Sequence, residues 1–310
     1  MSSSTPTAGR TTTGTGTWPA LAVDDWADTR TTFHLWTQIV GKVRLAHAPM
    51  QNHWWQVPLY VSARGLTTSA IPVDGDVVEL EFDLLAHRLE LRRSDGRLTG
   101  FALEPMSVAA FHARVLEALD ALGVAPPAHG APNEVDPAIP FADDTEHCSY
   151  DAAAVTTFWR QLVHAERVLG VFRSEFTGKC SPVHFFWGAM DLAVTRFSGR
   201  EAPAHPGGVP NCPDHVMVEG YSHEISSAGF WPGGGAEGAF YSYAYPAPEG
   251  FADAAVPEGA RYSAELGEFL LPYEVVRASA DPDALVHAFL TATFDAAARL
   301  GRWDEATSPR

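Results

Sequence analysis

The chain has 310 residues, 46% of them hydrophobic, which suits one large domain or two ordinary ones and excludes wholesale disorder. Its 38 acidic against 21 basic side chains give a formal charge of -17, which argues against a nucleic-acid-binding or anionic-membrane surface. No apolar run approaches the roughly 18 residues of a spanning helix. The three cysteines, Cys148, Cys180 and Cys212, form no C-x-x-C pair and fit a reducing cytoplasm.

Residues 1–17, mostly Ser, Thr and Gly, lack the apolar stretch of a signal peptide and read as a disordered tail. Asp24 or Asp25 is placed to cap a helix running to about Ala46. Along it Phe33, Trp36, Ile39, Val40 and Val43 recur at helical spacing until Pro49 stops it. Strand-like runs follow at 54–63, 77–84 and 87–93, then a turn at Ser94-Asp95-Gly96 and a weaker run at 98–103. Ser107 opens a helix that ends near Leu122, with Gly123 as its stop. Residues 124–145, rich in Pro, Ala and Asp, read as an extended linker. A long helix is expected over 151–176, a buried strand over 182–195 and a Gly/Pro loop over 199–213. Strands are expected at 217–227 and 240–245, separated by the Gly-rich 231–238, and a short one at 266–271. A helix over 283–300 closes the chain.

The two halves look alike. Trp36-Thr37-Gln38-Ile39-Val40 sits over Trp159-Arg160-Gln161-Leu162-Val163, and Arg44 then falls on Arg167. His53-Trp54-Trp55 sits over His184-Phe185-Phe186, and Arg64 falls within one residue of Arg196. The fold class expected is therefore α+β, an internally duplicated helix–antiparallel strands–helix unit packed into one globule. The divisions are a tail at 1–17, a first half-repeat at 18–123, a Pro-rich linker at 124–145, a second half-repeat at 146–303 carrying the site, and a tail at 304–310. Ligand sites in such arrangements tend to lie between the halves.

Chemistry-bearing residues crowd into 179–245. Ser181-Pro182-Val183-His184-Phe185-Phe186-Trp187-Gly188 is one motif. Strand alternation puts His184 and Phe186 on one face and Phe185, Trp187 and Asp191 on the other. Tyr221-Ser222-His223-Glu224 is the second, with His205, His215 and Asp214 just upstream. Histidines and a carboxylate so spaced suit a two-His, one-carboxylate centre for zinc or iron, although no H-E-x-x-H is present. No G-x-S-x-G, P-loop or dinucleotide fingerprint occurs. Lys179, Arg64, Arg196 and Arg200 lie in or beside the motif strands and can clamp an anionic group. Each also has an ordinary structural reading, a core histidine or a salt bridge to one of the many acids.

The strings Asn52-His53-Trp54-Trp55, Ala63-Arg64-Gly65-Leu66-Thr67-Thr68, Ser181 to Gly188, Thr195-Arg196-Phe197-Ser198-Gly199-Arg200 and Tyr221-Ser222-His223-Glu224 resemble a bacterial family of uncharacterised proteins, domain of unknown function 5996. The resemblance spans about 18–303. It implies one functional unit and brings no established activity.

These features lead to an expected enzyme acting on a small polar or anionic molecule between the half-repeats, a metal-assisted hydrolase or oxidoreductase in one version. His184, His223, Glu224 and Tyr221 are the expected catalytic residues. His184, His223, Glu224 and His205 are the expected ligands of a divalent metal. Arg196, Arg200 and Arg64, with Trp187 and Trp231, would hold the substrate, and the Gly-rich loop at Trp231 would close over it. The alternative is a non-catalytic small-ligand binding protein with an aromatic pocket. The partner in either case is a small molecule, with no nucleic acid and no membrane.

Overall fold

Apolar spacing places the first helix where it was expected. In the computed structural model, which describes residues 17–303, α1 runs over Ala27–His47. Phe33, Trp36, Ile39, Val40 and Val43 are all buried along it. A 3-10 turn at Asp24–Trp26 leads in, and neither aspartate caps the helix. Side-chain caps do appear at two later helices. Ser107 accepts from the Ala110 amide at the start of α2 (Val108–Ala121), and Asp151 accepts from the Ala153 and Ala154 amides at the start of α3 (Ala152–Ser174). Two short helices, α4 (Asp214–Gly220) and α5 (Tyr273–Ala278), precede the closing α6 (Pro282–Leu300). Apart from Thr17, the two expected tails lie outside the described residues.

The first half supplies strands β1 (Tyr60–Val61), β2 (Gly65–Thr67), β3 (Ile71–Val73), β4 (Asp76–Asp83), β5 (Arg88–Arg93) and β6 (Leu98–Ala102). The second supplies β7 (His184–Phe186), β8 (Asp191–Glu201), β9 (His223–Trp231), β10 (Ala239–Tyr245), β11 (Arg261–Ser263) and β12 (Glu268–Pro272). All pairings are antiparallel. One sheet has the order β1-β2-β4-β5-β6, with β3 on β4; the other has the order β11-β12-β10-β9-β8-β7. The two meet where Leu59 and Phe185 exchange backbone hydrogen bonds of 2.9 and 2.7 Å. The architecture is α+β, with helices packed on antiparallel sheets.

Three expected strands are corrected. The run 54–63 opens instead as a 3-10 turn, Asn52–Trp54, in which His53 and Trp54 take left-handed φ of 58° and 61°; only Tyr60–Val61 pairs as strand. The run 217–227 opens as α4, launched by Pro213 and Asp214, and becomes strand only from His223. The strand expected over 182–195 is broken by a turn at Met190, whose φ is 61°, into β7 and β8.

Each half runs helix, strands, helix, and the matched Trp36 and Trp159, Gln38 and Gln161 are all buried on α1 and α3, but the matched arginines and histidines do not share settings. Buried Arg44 donates to the Gln56 and Thr68 carbonyls, whereas Arg167 pairs with Asp283 at the surface. His53 sits in a helical turn and His184 on a strand. A continuous apolar cluster draws on both halves, including Phe33, Trp36, Phe82, Phe158, Phe185 and Phe289. Burying each of these is worth about 2 kcal/mol. The N-terminal segment crosses to the second half, where Trp18 stacks on His164 and donates to Asp283.

The Pro-rich 124–145 forms no helix or strand but is pinned to both halves. Asn133 exchanges hydrogen bonds with Gln38 of α1, at 2.8 and 2.9 Å, and donates to the Asn211 carbonyl. Among the described residues, no helix is long and apolar enough to cross a membrane.

Candidate functional site at the outer face of the second sheet

Strand alternation gives the second sheet two unlike faces. Leu192, Val194, Ala228, Phe230 and Phe240 point inward to α3 and α6 and are buried. The opposite face presents Asp191, Thr195 and Phe197 from β8, Ser227 and Gly229 from β9, Tyr241, Tyr243 and Tyr245 from β10, and Glu268 from β12. Its polar groups are joined across strands. Thr195 and Ser227 hydroxyls lie 2.9 Å apart, as do the hydroxyls of Tyr243 and Tyr221. Tyr221 caps α4, and its ring packs on His205 and Tyr245.

Asp191 is the centre of this face. The Tyr241 hydroxyl donates a short hydrogen bond to its Oδ2. Removal from bulk water pushes the Asp191 carboxyl up to about 6, with the tyrosine bond only partly offsetting it. Tyr241 reaches Asp191 because residue 229 is glycine: a Cβ there would stand 2.2 Å from the Leu192 carbonyl oxygen and 2.6 Å from the Tyr241 hydroxyl. A second glycine makes room in the same way. Glu134, from the pinned segment, lays Oε1 where a Cβ on Gly188 would meet it at 2.1 Å. Glu134 takes a left-handed φ of 59° and donates its amide to the Pro210 carbonyl.

Glu134 and Glu268 are each pushed up to about 7, by desolvation first and by the Asp191 charge second. Glu134 keeps considerable solvent exposure, so Asp191 carries more of the argument than Glu134 does. No cation figures among the influences on any of the three. Burial raises the hydroxyl of Tyr221, and those of Tyr241 and Tyr243 rise further. Such a face holds protons near neutrality and can pass or accept them. At its edge, buried Lys42 donates to Asn133 Oδ1 at 2.5 Å, and desolvation brings it down to about 8.

The structure disperses most of the residues expected to form the site. His184 is buried at 1% exposure between Arg44 and Arg173. Burial first, and those cations second, push it down to about 3, and its Nδ1 has no partner. Glu224 points the other way from His223, toward the end of α6, where it accepts from Ser198 and Arg200. Arg200 also donates to the Gly301 and Arg302 carbonyls and so ties down that helix end. His223 lies on the outer side, its ring 5.6 Å from that of His53. His205 packs against Tyr221, ring centroids 4.7 Å apart. The four expected metal ligands therefore stand in separate settings. Among the described residues, no group of three or more His, Cys, Asp and Glu side chains is arranged to hold a metal ion. The zinc or iron expectation finds no support in this arrangement.

The expected anion clamp is dispersed as well. Arg196 is buried at 1%, its guanidinium 3.4 Å from the Phe172 ring centroid and 4.3 Å from that of Phe294, donating to the Phe172 carbonyl. Arg64 is exposed and pairs with Asp83 at 2.6 Å. Trp187 packs on Gly41 of α1 and donates to the Val57 carbonyl at 2.9 Å. Trp231 lies over Gly233 and Gly234 at the edge of the outer face. The Gly-rich loop expected to close is fastened at both ends: Arg30 donates to the Pro232 carbonyl, and the Val23 amide to that of Ala236. Of the expected residues, Tyr221, His223, His205 and Trp231 fall on or beside the outer face.

Asp191, Tyr241, Glu134 and Glu268 sit in no motif that marks them as site residues in the sequence. Glycine in the middle of a strand, as at 229, was the available signal for a close approach. The molecule is thus a two-sheet α+β protein with a carboxyl- and tyrosine-rich outer face. Residues 18–309 match a family described as "Family of unknown function (DUF5996)", and the chain belongs to that family. No curated protein and no solved structure matches it.

Proposed function

We propose that the chain is an enzyme acting on a small polar molecule bound at the outer face of the second sheet, with Asp191 as the proton acceptor and donor. The observation that carries this reading is the Asp191–Tyr241 pair: a carboxyl pushed up to about 6 by removal from water, bonded to a phenol and matched to no cation. Glu134, Glu268 and the hydroxyls of Tyr221 and Tyr243 would recognise hydroxyl or amino groups of the substrate. With carboxyls rather than free cations on this face, the reading favours a neutral or amine-bearing molecule over an anionic one. The three cysteines are free, in keeping with a cytoplasmic setting.

The test is a thermal-shift and mass-spectrometric turnover screen of amines, polyols and sugars against wild type and Asp191→Asn. A compound that raises the wild-type melting temperature and is converted by wild type alone supports the reading. Ligands bound equally by both proteins, with no conversion, would place the site elsewhere. The aromatic cluster of His205, Tyr221 and Tyr245 favours, as the second reading, a non-catalytic binding protein. That reading predicts binding that requires Asp191, with the ligand recovered unchanged.

A further inference from the structure

Of the 21 Lys and Arg residues in the chain only two are lysines, Lys42 and Lys179. Arginine serves wherever a permanent positive charge is wanted; an amine is needed where the nitrogen must lose its proton and attack. Neither lysine makes an ion pair with a carboxylate within 4 Å among the described residues. Lys42 is buried, but Lys179 is exposed and reachable.

Lys179 sits at the far end of the outer face from Asp191. The two ends are separated by six residue steps from Asp191 to Phe197 along β8, roughly 20 Å of strand. The Phe197 amide donates to the Lys179 carbonyl at 3.0 Å, which fixes the lysine beside the strand. Its Nζ stands 2.6 Å from His53 Nε2. The imidazole is set to accept there. Its Nδ1 faces the carbonyls of Glu219 and Gly220, each at 3.3 Å, so Nδ1 carries the proton and Nε2 presents its lone pair to the amine. The His53 amide donates to Glu219 Oε1 at 2.9 Å. These contacts hold two successive non-glycine residues, His53 and Trp54, at positive φ, a costly arrangement of the kind found where a side chain must be aimed. The rings of Trp55 and Phe197 flank the amine at 5.5 and 4.8 Å. Burial lowers both partners from their usual values, and Lys179 lowers His53 further, while Glu219 opposes the fall at each.

We infer that Lys179 is a nucleophilic amine that forms an imine with a small aldehyde or ketone, His53 Nε2 taking up the proton the amine gives up. The nitrogen lone pair forms a bond to the carbonyl carbon as the carbonyl oxygen takes a proton. The resulting carbinolamine loses that oxygen as water, leaving a carbon–nitrogen double bond at Lys179. One carbonyl compound and one amine give one imine and one water, with no oxidant or reductant consumed. Trp55 and Phe197 supply flat apolar walls for an unsaturated or aromatic substituent on the carbonyl. This inference does not depend on the reading of Asp191.

The test uses the full chain at neutral pH with benzaldehyde as the probe and cyanoborohydride to trap the imine as a stable secondary amine. Peptide mass mapping separates Lys179 from Lys42 and from the terminal amine, and Nα-acetyl-lysine amide in the same tube is the standard. Lys179 is expected to be labelled about tenfold faster than the standard and Lys42 more slowly than it. His53→Asn, checked for folding by circular dichroism, should return Lys179 to the standard's rate. Wild-type labelling at or below the standard's rate overturns the inference, as does an unchanged rate in a folded His53→Asn. Should that variant not fold, urea-unfolded wild type takes its place. Loss of the rate advantage on unfolding supports the inference, and persistence of the advantage overturns it.

Discussion

The outer faces of the two sheets are built alike and charged differently. On the first, each carboxylate has a donor: Arg64 for Asp83 at 2.6 Å, Arg92 and Ser62 for Glu81 at 2.9 and 2.7 Å, and Thr67 for Glu79 at 2.6 Å. Burial alone would push Asp83 up, but the Arg64 hydrogen bond and the Leu85 and Ala86 amides hold it below the ordinary carboxylate range. On the second, Asp191 meets a phenol and no cation, and stands above that range. An antiparallel face does not require unmatched carboxyls, as the first sheet demonstrates. Of the two sheet faces, the second is the one whose carboxyls are raised and meet no cation.

The contrast is open to breakage at several points. The largest effect is expected on the inner face. Arg196→Ala removes a guanidinium packed among Phe172, Phe176 and Phe294 and should cost about 3 kcal/mol in urea unfolding. Arg200→Ala, at an exposed ion pair, should cost no more than about 1 kcal/mol. Equal costs would contradict the packing of the Arg196 guanidinium among these rings.

Asp191→Asn should act in the opposite sense to an ordinary loss. With Asp191 pushed from 3.8 to about 6, the folded chain keeps a proton that the unfolded chain has released, so wild-type stability falls as pH rises through that window. The asparagine variant lacks this slope. It should therefore be more stable by about 1–2 kcal/mol at neutral pH and equal to wild type near pH 4, while losing the ligand response. Asp83→Asn should mirror it. The Asp83 contribution is present above the ordinary carboxylate range and is lost as pH falls through its lowered value, so the substitution should cost up to about 1 kcal/mol at neutral pH and little in acid. Guanidinium titrations of both variants across pH compare the two faces directly. The smallest effect belongs to Tyr241→Phe, which takes away one donor. It should move the Asp191 midpoint upward and cost about 0.5–1 kcal/mol.

The helices were the most legible part of the chain, because apolar residues recur at helical spacing from Phe33 to Val43 and because Ser107 and Asp151 are local caps. The turn at His53 was not legible. Its left-handed residues are held by Glu219 and Gly220, more than 160 residues away, and nothing local asks for them. The outer face suffered in the same way. The strand-face rule put His184 and Asp191 on opposite faces of one strand, but the turn ending at Met190 folds the run into a hairpin in which His184 pairs with Ala193 and Phe186 with Asp191, so the two share a face; Asp191 itself is one acid among 38 until the fold brings Tyr241 and Gly229 beside it. Sequence spacing gathered four metal ligands into one stretch, but the turn at Met190 and helix α4 send them to different places.

The most direct test is the titration of carbon-13-labelled aspartate carboxyls by NMR, with Asp191 and Asp83 assigned through their asparagine variants. The account predicts a midpoint of about 6 for Asp191 and one below 3.8 for Asp83. An Asp191 carboxyl that ionises at or below 3.8 would mean a compensated structural charge and would contradict the assignment of the outer face as a proton-handling site.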